Sequence, residues 1–361
     1  MQQLWQSNET IKENAMLNKR QKMIFNYIEQ SGAVSREQIQ EAVSKEFEKC
    51  SKVTILRDLD VLIAEGLISK TGTTKSALYA LSIKNKLLSE VDVEAYFAND
   101  ERKLENNRFN FEIMSHLSNL LTPKEQQEYA HLNEQYLKSR AGMSPTILRK
   151  EFERLTIELA WKSSKIEGNT YTLLDTERLL KDNVSADGKT KEETQMIINH
   201  KKALDYIIGN TNEYKELTVR KIEELHRLLV EGLGVSYGVR QTLVGIVGTD
   251  YKPLDNEFQI KEALEQLVKL VNQTENPLEK ALITVLMISY IQPFEDGNKR
   301  TSRILGNALL LANDYCPLSY KSVDEVEYKK GVILFYEQNN ISYFKKLFLE
   351  QYQQAVKKYF E

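Results

Sequence analysis

Apolar positions divide the chain into two stretches of different character. From Arg20 onward, Met23, Ile24, Tyr27 and Ile28 recur at helical spacing until Ser31-Gly32 ends the run. Ser35 caps a short helix carrying Ile39 and Val43, and Ser51 opens a third with Val53, Ile55, Leu56, Leu59, Leu62 and Ile63, closed by Gly66. Residues 67–70 and 77–81 have strand-like patterns and are joined by Thr71-Gly72-Thr73-Thr74-Lys75, which predicts a β-hairpin. Residues 1–18 are polar without periodicity and read as a flexible tail, and the charged run within 85–105 reads as a linker. From 106 to 361 the pattern is helical, interrupted by one β-like stretch at 241–254. Residues 281–291 and 304–312 carry no charge at all, so both should be buried helices. The expected architecture is mainly α: a helical domain over 106–361 with a small β-hairpin flap, preceded by a three-helix and hairpin domain over 19–84.

Composition supports two domains and narrows the partners. A chain of 361 residues with 41% hydrophobic and 28% charged residues is long enough for two cores. A net charge of −3 argues against a polyanion-binding protein as a whole, although one domain can still present a basic face. Cys50 and Cys316 are the only cysteines and lie far apart, so neither a disulfide framework nor a zinc site is expected. The N-terminal residues lack an apolar signal-peptide core, and the run 281–291 is too short to span a bilayer, so a cytoplasmic location without membrane insertion is expected.

The N-terminal pattern, with Val53-Thr54-Ile55-Leu56-Arg57-Asp58-Leu59 followed by Glu65-Gly66-Leu67-Ile68, resembles the winged helix-turn-helix of DeoR-like regulators. That resemblance implies a third helix in the DNA major groove, with Lys52, Thr54 and Arg57 as contact residues and Lys70 and Lys75 of the wing on phosphates. The same fold also serves as a protein-docking module, and the two uses stand open at this point.

The sharpest chemical feature is Gln292-Pro293-Phe294-Glu295-Asp296-Gly297-Asn298-Lys299-Arg300-Thr301-Ser302-Arg303, a charged loop between the two uncharged helices. The Gly297-Asn298 turn allows close backbone approach, and a helix beginning near Thr301 would point free N–H groups and its positive dipole end into the loop. Lys299, Arg300 and Arg303 add three cations, which together make a site for a polyphosphate. Asp296 supplies one carboxylate beside them, suited to a magnesium ion bridging phosphate oxygens.

This loop resembles the motif of Fic proteins, His-x-Phe-x-Asp/Glu-Gly-Asn-Gly-Arg-x-x-Arg, departing at Gln292 and Lys299. The resemblance implies an ATP site in a family that transfers AMP to protein hydroxyls of Ser, Thr or Tyr. Its roles fall on Asp296 for Mg2+, on Gly297, Asn298 and Arg300 for the inner phosphates, and on Arg303 for the γ-phosphate. Ser163-Ser164-Lys165-Ile166-Glu167-Gly168-Asn169 resembles the family's inhibitory motif, on a helix near 150–169 that precedes the core. Independently of the family, Glu167 ends a helical pattern where the negative dipole end disfavours a carboxylate, so it needs a cation. A Glu167–Arg303 ion pair obstructing the γ-phosphate is the prediction. The stretch 241–254, with Gly245, Ile246, Val247, Gly248 and Thr249 at its centre, resembles the flap that holds a target segment by strand addition.

Two departures bear on activity. In the family the histidine is the general base, and an amide at Gln292 cannot take a proton near neutral pH; losing such a base costs about 100- to 10,000-fold in rate. His226, in Glu224-Leu225-His226-Arg227-Leu228, reads as helix packing, not as a replacement. Lys299 matches the Doc branch, which resembles a phosphate transferase. Three readings are therefore open: a catalytically impaired ATP-binding domain coupled to a DNA-binding module, an active AMP or phosphate transferase using another base, and a winged-helix regulator whose Fic core dimerises.

Overall fold

The computed structural model describes residues 17–47, 50–73, 76–99, 101–102 and 104–359. The chain divides into two compact units, Met1–Ala98 and Asn99–Glu361, and the division falls inside the 85–105 stretch.

In the first unit, α1 (Lys19–Ser31), β1 (Val34–Ser35), α2 (Arg36–Ser44) and α3 (Lys52–Ala64) are followed by β2 (Ile68–Thr71) and β3 (Leu78–Leu81). Each helix starts on a side-chain cap, Asn18, Ser35 and Ser51 in turn, which satisfies N–H groups that the helix cannot. The strands pair antiparallel in the order β1-β3-β2, with Val34 opposite Tyr79 and Ile68 opposite Leu81. Ile24, Ile28, Ile39, Val43, Ile55, Leu59, Leu62 and Tyr79 close one apolar core. A polar clamp sits beside it: the Asp58 carboxylate is buried and accepts from Arg20 Nε at 2.5 Å, Arg20 Nη2 at 3.2 Å and Gln21 Nε2 at 3.2 Å.

Three details differ from the sequence reading. The predicted tail ends earlier, because Leu17 joins the core and Asn18 caps α1; residues 1–16 lie outside the described residues. Strand β1 was not foreseen, since two residues carry no readable period. Part of the predicted linker is folded, with α4 (Ile83–Leu88) and α5 (Val93–Phe97) burying Leu87 and Val93.

The second unit is helical throughout: α6 (Pro123–Gly142), α7 (Pro145–Ile166), α8 (Leu173–Asp182), α9 (Lys191–Gly209), α10 (Val219–Val230), α11 (Glu257–Gln273), α12 (Pro277–Ile291), α13 (Asn298–Ala312), α14 (Glu325–Gln338) and α15 (Ser342–Lys358), with short 3-10 turns at Phe111–His116 and Thr211–Lys215. Helices α12 and α13, which carry the uncharged runs 281–291 and 304–312, pack together as the centre, with α7, α9, α10, α11 and α14 around them. Their approach is close: a Cβ on Gly306 of α13 would lie 2.8 Å from Val285 Cγ2 of α12. Burial on all sides explains why residues 281–291 and 304–312 carry no charge. Among the described residues no helix is long and apolar enough to cross a membrane.

The expected hairpin at 241–254 is absent. This stretch forms no strand pair within itself, and its one β-bridge runs from Lys252 to Arg108. Its outer apolar residues are poorly covered, with Leu243 76% and Val247 97% exposed and Val244 and Ile246 only half-buried, so no continuous buried face rewards pairing.

Candidate functional site

The site is the turn between α12 and α13. Gln292 ends α12 in the left-handed conformation (φ 51°), and Gly297 opens α13 at φ 81°. Only glycine fits there, because a Cβ would meet Val230 Cγ1 at 2.9 Å and positive φ strains any other residue. Helix α13 starts at Asn298, three residues before the expected position, and Gly297 provides no side-chain cap. The first N–H groups of a buried helix thus lack a protein partner of their own, which fits an anion.

Asn298 stitches the turn. Its Oδ1 accepts from Phe294 N at 2.9 Å, and its Nδ2 donates to Phe294 O at 2.8 Å and to Gln292 Oε1 at 2.9 Å. The Gln292 amide is consumed by the same scaffold, since Nε2 donates to Ser289 O at 2.6 Å. The Ser289 carbonyl can only accept, so the amide nitrogen faces it and the oxygen faces Asn298. The Gln292 carbonyl in turn accepts from Arg240 Nε at 2.7 Å, while Arg240 Nη1 donates to Thr242 O at 2.6 Å and Nη2 to Leu254 O. Arg240 thereby ties both ends of the 241–254 stretch to the turn.

The three cations occupy different settings. The Arg303 side chain is fully buried; Nη2 donates to Glu167 Oε1 at 2.7 Å and to Ser163 O at 3.0 Å, and Nε donates to Ser163 Oγ at 2.9 Å. Its guanidinium lies 5.4 Å from the centre of the Tyr328 ring, and Nη1 is buried without a hydrogen-bond partner. The ion pair expected from the sequence is therefore present. Glu167 caps the C-terminus of α7, followed by Gly168 at φ 96°, and its side chain is 20% exposed. Burial works to raise its carboxyl, but Arg303, Lys299 and Arg300 outweigh that and hold it below the ordinary carboxylate range. Lys299 Nζ stands 3.9 Å from Glu167 Oε2. Arg300, also buried, donates through Nη2 to Asp296 Oδ2 at 2.6 Å and through Nη1 to Leu229 O at 3.3 Å. Asp296 itself is 66% exposed at the mouth of the turn.

Sequence distance hides several neighbours of the turn; His226 is buried in packing as expected, but its contact with the turn was not foreseen. His226 touches the turn: Nε2 lies 2.9 Å from Asp296 O, and its ring stacks on Phe294 at 3.7 Å. A carbonyl only accepts, so Nε2 carries the proton and Nδ1 keeps a buried, unpartnered lone pair. Burial pushes this imidazole down to about 4, and the residue is sealed from solvent. Tyr328 and Tyr336 are likewise buried beside the motif helices. His200, discussed below, contacts Ser163.

The predicted flap residues lie outside the turn. Gly245, Ile246, Val247, Gly248 and Thr249 form the outer part of the 241–254 stretch, which Arg102 Nη2 holds through Gly248 O at 2.6 Å. Arg102 also pairs with the fully buried Glu337 carboxylate at 2.9 Å. In the first unit Lys52 and Arg57 are exposed on α3, Thr54 is half-buried with its hydroxyl 2.9 Å from Ser51 Oγ, and Lys70 is exposed on β2. Lys75 lies outside the described residues.

Comparison with known proteins agrees with this geometry. Residues 216–310 match the model of the Fic/DOC family. The chain is 30% identical over 174 residues to "Protein adenylyltransferase Fic" of Drosophila grimshawi, covering 47% of this chain and 36% of that protein. The Drosophila melanogaster protein of the same name is 29% identical over 177 residues, with 47% and 35% covered. The chain thus spans about a third of the length of these relatives. Among solved structures, Fic-1 from C. elegans superposes with a TM-score of 0.54 at 22% identity, covering 65% of this chain and 74% of that one. A Fic family protein from Desulfovibrio desulfuricans gives 0.54 at 21% identity, covering 66% and 74%. At such identities these structures speak for the fold alone. The family match over 216–310, the relatives and the fold agree: this part of the chain is similar to Fic/DOC domains.

Proposed function

We propose that the second unit is an ATP-binding domain related to protein adenylyltransferases, closed by Glu167 and deprived of its base by Gln292. The observation that carries this reading is the Arg303–Glu167 pair beside an uncapped helix start: a buried guanidinium held by an internal carboxylate where a γ-phosphate would otherwise sit. The residues fit the ligand, since Arg303 Nη1 is a buried donor without a partner and the first N–H groups of α13 face the turn. For magnesium the fit is partial by protein alone. Among the described residues no cluster of three or more His, Cys, Asp or Glu could hold a metal. A triphosphate-bound Mg2+ normally takes only one or two carboxylates, and the exposed Asp296 supplies one. Magnesium, when bound, neutralises charge on the phosphate oxygens.

The chain's own residues then divide the work. Gly297 lets the backbone approach the phosphates, Arg300 and Arg303 hold charge, and Asn298 keeps the turn rigid. The open edge at 245–249 is suited to align an extended segment of a target protein, since its backbone has no strand partner within the stretch. What no residue supplies is the base. The Gln292 amide is occupied at both ends, and His226, the histidine against the turn, is buried with its lone pair sealed.

The first unit is read as a winged helix-turn-helix, with Lys52 and Arg57 of α3 as DNA contacts and Lys70 on the wing. Full-length protein should bind duplex DNA with a salt dependence that flattens by about one unit of log–log slope for each of Lys52→Ala and Arg57→Ala. Salt-independent or undetectable binding removes that half of the reading. For the nucleotide half, calorimetry with Mg-ATP should show at least about tenfold tighter binding by Glu167→Gly than by the natural chain. Equal affinities would refute the lock, and no binding by either would refute the site.

A further inference from the structure

Two adjacent residues of α9 stand behind the two motif arginines. Asn199 Nδ2 donates to Leu229 O at 3.2 Å and to Glu231 O at 2.8 Å, and Leu229 O also accepts from Arg300 Nη1. His200 reaches Arg303 through one intermediary: its Nε2 lies 2.8 Å from Ser163 Oγ, which lies 2.9 Å from Arg303 Nε. All of His200, Ser163 and Arg303 are sealed from solvent.

The hydrogens in this chain of contacts have one consistent assignment. His200 Nδ1 lies 2.8 Å from Met196 O, and a carbonyl can only accept, so Nδ1 carries the proton. Nε2 is then a bare lone pair and takes the Ser163 hydroxyl hydrogen. That leaves a Ser163 oxygen lone pair turned to Arg303 Nε, and a guanidinium can only donate. With the other tautomer a bare Nδ1 lone pair would face the Met196 carbonyl at 2.8 Å, with only the Ser164 hydroxyl at 3.3 Å to donate to it, and Nε2–H would leave the Ser163 hydroxyl hydrogen without His200 as its acceptor. Burial pushes the imidazole down to about 3, so the neutral ring persists at ordinary pH.

We infer that His200 is a positioning residue of the inhibitory lock: it sets the direction of the Ser163 hydroxyl, and Ser163 in turn holds Arg303 in register with Glu167. The lock is thus a four-residue relay, His200 to Ser163 to Arg303 to Glu167, anchored on α9 as well as α7. This rests on the reading of Arg303 as a phosphate ligand, so its test needs one measurement that involves no nucleotide.

The first measurement is calorimetric titration of Mg-ATP into full-length Glu167→Gly, Ser163→Ala, His200→Ala, His200→Gln and the Ser163→Ala/His200→Ala double variant. His200→Ala and Ser163→Ala should each bind about three- to tenfold tighter than the natural chain, and the double variant should gain no more than either alone. His200→Gln, whose side-chain oxygen can accept from Ser163, should stay near the natural affinity. Unchanged affinity in His200→Ala, or additive gains in the double variant, overturns the inference while Glu167→Gly still reports on the site. The second measurement is nitrogen-15 NMR of the free protein. His200 should show a protonated Nδ1 and a bare Nε2 from about pH 5 to 8. Exchange of Arg303 Nε–H should quicken in His200→Ala and not in His200→Gln. A protonated Nε2, or unchanged Arg303 exchange, refutes the relay even if no variant binds nucleotide.

Discussion

The turn at 292–303 and the stretch at 241–254 meet at Arg240 and could hardly be built more differently. In the turn, Gln292, Phe294, Gly297, Asn298, Arg300 and Arg303 are buried, and the Gln292 and Asn298 amides are both engaged. In the stretch, Leu243 and Val247 face solvent, and the anchors are few: Arg240 at the two ends, Arg102 at Gly248, Tyr251 Oη on Tyr290 O at 2.8 Å and Lys252 N on Asn107 O at 2.9 Å. A rigid socket stands next to an edge that keeps its backbone groups in hand. Precision is placed where charge must be held, and adaptability where a partner chain must be accommodated.

The largest test of this contrast replaces the one socket residue whose chemistry is wrong for transfer. In a Glu167→Gly background, Gln292→His should raise label transfer from ATP to protein by about 100-fold or more, up to about 10,000-fold. Position 292 tolerates the exchange, because histidine is among the residues that enter the left-handed region readily. No gain would mean that the missing base is not what limits the site.

Next comes the joint between the two regions. Arg240→Met strands two buried carbonyl acceptors and a third, half-buried one, and should lower stability on the order of 3 kcal/mol, read from the urea midpoint at constant slope. A drop below about 1 kcal/mol would show that the stretch is fastened elsewhere.

A pH series probes the interior behind the socket. His200 and His226 have folded-state affinities for protons depressed to about 3 and about 4, against about 6.5 when unfolded. Between those values the unfolded chain binds protons that the folded chain refuses. Stability is therefore full above about pH 7 and falls as the pH drops through 6.5 toward 4, by up to roughly 2 kcal/mol per imidazole at pH 5. Substituting either histidine should reduce that slope. Glu167 acts in a lower window: its carboxyl is depressed, so its contribution is present above the ordinary carboxylate value and is lost only as pH falls through the lower folded one.

The smallest effect belongs to the exposed edge. Val247→Asp should change stability by less than about 0.5 kcal/mol, because the side chain is 97% exposed. A large loss would show that the edge is part of the core and not a docking surface.

The same contrast explains what could be read from the sequence. The socket was legible because its signals are local: two uncharged helices, a Gly-Asn turn and arginines three residues apart leave little freedom. Glu167 was legible because a carboxylate at a helix C-terminus is an electrostatic anomaly that demands a cation. The stretch 241–254 misled because apolar alternation predicts a strand only when a buried face rewards it, and burial is a tertiary fact. His200, His226, Tyr328 and Tyr336 were illegible for a related reason. Each sits in a helix with ordinary packing spacing, and nothing within a few residues announces that its polar atom faces a motif residue far along the chain.

Arg240 has one further consequence. Among the described residues it forms no ion pair, and its donors are spent on carbonyls, which carry no net charge to cancel its own. A positive charge is thereby held against the turn at the Gln292 carbonyl, largely shielded from water, with Asp255 acting on it through space. Anion capture by this protein should accordingly be quick in dilute salt and slow markedly as ionic strength rises, a kinetic signature that survives even where chemistry is silent.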